Sequence, residues 1–127
     1  FEGDTGPYVL YAYARIASML RKAGVAEEAE EPLDWSVLDI QEERDLGLRC
    51  GMYGDIVRKS AVEMDVSILA NYLLELAKSF SRFYRACPVI TAPRPERRSA
   101  RIALSKRVRT ILRHGLKALT IDVIESM

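Results

Sequence analysis

Residues 65–88, DVSILANYLLELAKSFSRFYRACP, decide the fold class. Leu69, Tyr72/Leu73, Leu76, Phe80, Phe83 and Cys87 recur at spacings of three and four. That is the period of one buried helical face. Asn71, Glu75, Lys78, Ser79, Arg82 and Arg85 fill the other side. The helix begins near Asp65–Ser67. Pro88 disfavours helix at the residue before it, so the helix ends by Cys87.

The same period extends upstream. Asp4, Thr5 and Gly6 are cap-type residues before Pro7, which is expected to open a helix, since proline is favoured at the first helical position. Val9, Ala12, Ile16, Met19/Leu20 and Ala23 mark the buried face of an opening helix, with Gly24 as its stop. Tyr8, Tyr11, Arg15, Ser18 and Lys22 follow the same spacing on a neighbouring face. Residues 24–41 read as a linker, pinned by Trp35, Val37, Leu38 and Ile40. A second helix spans Glu42 to Cys50, broken at Gly51, and a third spans Met52 to Glu63. The third places Ile56 and Ala61 inward and Arg58 and Lys59 outward.

Downstream, residues 89–94 form a connector stiffened by Pro88 and Pro93. A last helix starts at Pro95 or Glu96 and runs to about Leu119, with a short tail to Met127. Leu104, Val108, Ile111/Leu112, Gly115 and Leu119 make its core stripe. Lys106, Arg109, Arg113 and Lys117 make a separate basic stripe, and Arg97, Arg98 and Arg101 add charge to its first turns. No segment alternates with period two long enough to be a strand. The expectation is an all-α bundle of about five helices.

The chain has 127 residues, 49% hydrophobic and 29% charged, which fits one domain spanning residues 1–127. Such a length buries roughly two-thirds of the unfolded surface, so no staples are needed. The apolar content and a net charge of +1 exclude disorder. No apolar run is long enough to span a membrane. Two Cys make no disulfide framework, and reduced thiols in a cytoplasmic protein are expected. The chain opens at Phe1 without an initiator Met or a leader, and reads as a piece of something longer.

The net charge hides a split. Residues 1–65 hold 7 Lys/Arg and 14 Asp/Glu, a balance of −7. Residues 66–127 hold 12 Lys/Arg and 4 Asp/Glu, a balance of +8. The basic half points to a polyanion, most simply a nucleic acid. Residues 27–45, with nine acids and one base, form the acidic centre.

Catalytic chemistry is thin. His114 is the one histidine and sits among Arg and Lys, as a surface residue does. Cys50 and Cys87 lack metal-ligand spacing and read as small core residues. There is no phosphate-binding Gly-rich loop and no nucleophile elbow. Nucleic-acid chemistry is better supplied. Tyr8 and Tyr11 lie one helical turn apart with Arg15 one turn further on, and Tyr84 with Arg82 and Arg85 repeats the pairing. Aromatic faces beside a guanidinium hold the splayed bases of single-stranded RNA loops. Lys106, Arg109, Arg113 and Arg101 are the expected phosphate contacts.

Gly3-Asp4-Thr5-Gly6-Pro7-Tyr8, Tyr11-Ala12-Tyr13-Ala14-Arg15 and Leu20-Arg21-Lys22-Ala23-Gly24 resemble the start of the C-terminal domain of arginyl-tRNA synthetases. Tyr72-Leu73-Leu74-Glu75-Leu76-Ala77, then Phe80, Phe83-Tyr84 and Cys87-Pro88-Val89, are similar to that domain's central helix. Arg98 to Leu104, then Leu112, Gly115-Leu116, Leu119 and Glu125-Ser126-Met127, are similar to its last helix and tail. Leu10, Tyr13, Ser81, Thr120 and Ser126 depart from the commoner residues of the family.

The resemblance implies the all-helical DALR anticodon-binding domain of a class I aminoacyl-tRNA synthetase. It implies that the parent protein joins arginine to tRNA with ATP and magnesium, through a catalytic domain upstream. This stretch alone would then be non-catalytic and would hold no cofactor. The implied partner is the anticodon stem-loop of an arginine tRNA, read chiefly at its middle base, with no membrane or DNA partner. Carried over by motif, the anticodon contacts are Tyr8, Tyr11, Arg15, Tyr84 and Met127, with Arg85 beside them. The alternative is a stand-alone helical interaction module that kept the fold without RNA binding.

Overall fold

The helix marked most clearly by the sequence runs from Val66 to Ala86 in a computed structural model of the chain. The structure describes residues 5–25 and 32–126, with side chains as far as Thr120. Five α-helices follow in order: α1 (Thr5–Lys22), α2 (Gln41–Gly51), α3 (Tyr53–Val62), α4 (Val66–Ala86) and α5 (Pro95–Ser126). A single 3-10 turn at Trp35–Val37 interrupts the segment between α1 and α2. The described residues contain no strand. The all-α bundle expected from the periodicity is the fold observed.

Local chemistry sets the ends. The Asp65 carboxylate accepts from the Ser67 backbone N–H at 3.0 Å and caps the start of α4. Cys87 turns to extended backbone ahead of Pro88, and its N–H still reaches Phe83 O at 2.8 Å. Gly24 takes φ +70 after α1. Its N–H bonds Arg21 O, and that of Val25 bonds Leu20 O, which closes a Schellman motif. The same pair of bonds recurs after α3, from Met64 to Ala61 O and from Asp65 to Ser60 O. There the left-handed position falls to Met64, at φ 52.

α4 lies at the centre and packs against every other helix. Phe80, Phe83, Leu73 and Leu76 are fully buried on it, against Ile16 and Leu20 of α1, Leu46 of α2 and Leu104 and Leu112 of α5. Burying one such side chain contributes about 1.5–3 kcal/mol. Gly115 of α5 meets Leu73 so closely that a Cβ there would stand 2.5 Å from Leu73 Cδ2. Glycine permits this approach of the two helices.

Two details of the sequence reading are corrected. Ala61 is exposed, and Ser60 faces inward instead, its hydroxyl donating to Asp65 O at 2.8 Å. The turn after α3 folds the Asp65 carbonyl back over residue 60, where a hydroxyl can donate to it and an alanine methyl cannot. α5 does not stop near Leu119; its backbone stays helical to Ser126, since no Gly or Pro intervenes.

The segment before α2 is strapped to α5. Trp35 lies over Gly47, where a Cβ would come 2.6 Å from the indole, and the Arg107 guanidinium sits 5.6 Å from the ring centroid. Arg97 grips Asp39 with two hydrogen bonds of 2.9 and 3.2 Å. That guanidinium holds the Asp39 carboxyl below the usual carboxylate range. Glu43 accepts from the Ile40 N–H at 3.0 Å, which caps α2, and from Arg101 at 2.8 Å.

Candidate nucleic-acid interface

Tyr8, Tyr11 and Arg15 share one side of α1, beside the buried row Val9, Ala12 and Ile16. α4 brings Ser81 and Tyr84 to them. The Tyr8 hydroxyl donates to Ser81 Oγ at 3.4 Å. The Arg15 guanidinium lies over the Tyr84 ring, 4.9 Å from its centroid. Tyr84 in turn stacks on Phe80, with centroids 6.1 Å apart and planes 29° from parallel. Phe80 is wholly buried, so the core fixes the ring that carries Arg15.

Tyr8 and Tyr84 are a little over a third exposed, and Tyr11 is 78% exposed. Arg85 is exposed on the turn that carries Tyr84. This seam offers the open ring of Tyr11, a guanidinium positioned on Tyr84 and phenol hydroxyls at one place. Such a set stacks unpaired bases and bonds their edges, at roughly 1–3 kcal/mol per stacked base. Of the residues expected from the sequence, the structure brings Tyr8, Arg15 and Tyr84 together here, with Tyr11 on the same side of α1 and Arg85 on the adjoining face of α4. Ser81 and Phe80 complete the seam. Ser81 is legible in the sequence as the polar residue one turn before Tyr84, and Phe80 only as core.

The basic stripe of α5 is corrected. Arg101, Lys106 and Arg109 were expected to face phosphate, but they are 3%, 7% and 5% exposed. Arg101 Nε bonds Glu43 at 2.8 Å, and another of its nitrogens bonds Pro88 O at 2.7 Å. Lys106 and Arg109 have interactions of their own. The cause is the central course of α5, which is covered by α1, α2, α4 and the 3-10 turn. Of the stripe, Arg113 and Lys117 are exposed. Met127 lies outside the described residues.

Nothing else competes as a reactive centre among the described residues. Burial pushes the Cys50 thiol up to about 12 and that of Cys87 up to about 11, far from the thiolate a nucleophile needs. His114 is exposed on α5. Among the described residues no group of His, Cys, Asp and Glu is placed to hold a metal. No described helix is long and apolar enough to cross a membrane.

Known proteins share this fold. The family model of the DALR anticodon binding domain covers residues 9–127. The arginine–tRNA ligase of Shewanella oneidensis is 37% identical across the whole of this chain, which corresponds to 21% of that protein. That of Shewanella amazonensis is 39% identical with the same coverage. The solved arginyl-tRNA synthetase of Thermus thermophilus matches with a TM-score of 0.80 and 40% identity, over 94% of this chain and 20% of that one. The chain thus spans about a fifth of the length of these relatives. A stand-alone interaction module is not favoured, because the whole of this chain matches part of longer proteins named as arginine–tRNA ligases. With the helical fold and the match in agreement, the chain belongs to the DALR anticodon-binding domains of arginyl-tRNA synthetases.

Proposed function

We propose that this domain grips the anticodon stem and loop of an arginine tRNA and reads chiefly its middle base. The observation that carries this is the Arg15 guanidinium held over Tyr84 beside the exposed ring of Tyr11. Tyr8, Tyr11 and Tyr84 supply ring and hydroxyl contacts to bases, and Arg15 supplies a charge-assisted donor; Arg85 lies beside them on the adjoining face of α4. Met127 joins the set by resemblance. The buried Arg101, Lys106 and Arg109 are outside this set.

The domain's part is binding. In a whole ligase, ATP, magnesium and the joining of arginine would belong to the other four-fifths of the chain, in the cytoplasm. The test is a titration of the chain with an arginine-tRNA anticodon stem-loop carrying cytosine or another base at the middle position. Tighter binding of the cytosine form is expected. Equal binding of both forms would overturn the selectivity.

A further inference from the structure

The burial of the α5 stripe leaves open which cations meet the RNA backbone. Lys78, Arg82 and Arg85 recur at spacings of four and three along α4, which puts them on one face of that helix. Ser81 and Tyr84 lie on the adjoining face, turned to α1. Residues 76–95 contain no Asp or Glu. Lys78 shares its charge with Glu75 at 3.6 Å. Arg82 and Arg85 are exposed and have no ion-pair partner among the described residues.

The two exposed cations of the α5 stripe lie further off. Arg113 and Lys117 flank Gly115, which rests on Leu73. Leu73 precedes Tyr84 by three helical turns, roughly 16 Å along α4. At physiological salt that exceeds the ~8 Å over which an exposed charge acts. Arg58 and Lys59 of α3 each have a carboxylate one helical turn away, Asp55 at 3.0 Å and Glu63 at 4.0 Å.

We propose that the row Lys78–Arg82–Arg85 on α4 is the phosphate track of this domain, with Arg82 and Arg85 as its main contacts. The proposal rests on the RNA-binding reading of the Tyr8–Tyr84 seam. The bases enter that seam while the backbone follows the α4 row, so one helix supplies both ring and charge. Arg82 and Arg85 set affinity and its salt dependence; the aromatic seam sets selectivity.

The test is the stem-loop titration repeated over a series of salt concentrations. Removing one phosphate-binding cation lowers the slope of log affinity against log salt by ~0.7 for single-stranded RNA. Arg82→Gln/Arg85→Gln is therefore expected to lower the slope by about 1.4 and to leave the preference for the middle base unchanged. Arg58→Gln/Lys59→Gln removes the same charge elsewhere and is expected to leave the slope as it was. An unchanged slope in the α4 pair, or the larger drop in Arg113→Gln/Lys117→Gln, overturns the track. If the unmodified chain binds the stem-loop selectively while the α4 pair keeps its slope, the track alone fails. If the unmodified chain does not bind, the functional reading fails with it.

Discussion

Glu43 and Arg101, from helices α2 and α5, form an ion pair at 2.8 Å with at most 4% of either side chain exposed. A charge so buried depends on its partner, because removing Arg101 leaves Glu43 cut off from water with only the more distant Arg97 guanidinium, at 3.9 Å, beside it. Arg101→Ala is expected to cost about 3–5 kcal/mol of stability by urea denaturation. Adding Glu43→Gln should recover part of the loss, since the uncompensated charge is gone. If Arg101 were instead a phosphate ligand, the single variant would change salt-dependent RNA binding and leave the melt alone.

Tyr11 and Phe80 separate binding from folding. Tyr11→Ala should weaken stem-loop binding with an unchanged thermal midpoint, because its ring is open to solvent. Phe80→Ala empties a fully buried site, and is expected to cost ~3–5 kcal/mol. Thermal melts of the two variants check the assignment.

Gly115→Ala tests the close approach of α4 and α5. The added Cβ would meet Leu73 Cδ2 at 2.5 Å and Cδ1 at 2.7 Å, and Leu73 is fully buried. Overpacking costs about 1–3 kcal/mol, against a helix-propensity gain of about 1 kcal/mol. A net loss is expected, and Leu73→Ala in the same chain should make the two substitutions strongly non-additive. A double-mutant cycle in urea measures that coupling.

Met64 stands at φ 52 in the position where glycine usually ends a helix. A left-handed backbone costs a side-chain-bearing residue roughly 1–2 kcal/mol, partly offset by the extra freedom glycine has when unfolded. Met64→Gly should raise stability by about 0.5–1 kcal/mol. Met64 is also 92% exposed, so little packing is lost. A lowered urea midpoint would contradict this account.

Cys50 and Cys87 titrate far above an ordinary thiol because burial opposes the thiolate. Their folded-state values exceed the unfolded ones, so this contribution to stability is complete below about pH 8.5. It is lost as pH rises towards 11 and 12. At pH 8 a thiol reagent should label folded protein slowly and urea-unfolded protein fast. Equal rates would place the thiols at the surface.

The helices that periodicity reveals are those whose two faces differ in kind. α4 shows this best, with an apolar row from Leu69 to Cys87 and caps at both ends. The aromatic seam is legible for the same reason, since Tyr8, Tyr11 and Arg15 repeat beside a core row. The α5 stripe misleads because spacing identifies a face but not what covers it. Arg101 is covered by Glu43, which lies 58 residues earlier in the chain. Lys106 and Arg109 share the fate of a helix packed on several sides. Ser60 and Ala61 exchange places because the Ser60 hydroxyl donates to the Asp65 carbonyl of the turn after α3, which an alanine cannot do.

The strap between α2 and α5 gives the domain a built-in optical signal. Trp35 is the single tryptophan of the chain, and it lies against Gly47 and Arg107 instead of in the apolar core. Its fluorescence therefore follows the seating of the segment before α2, whereas far-ultraviolet circular dichroism follows the helices. Where the two signals separate on heating, the strap has lifted from a bundle that is still folded.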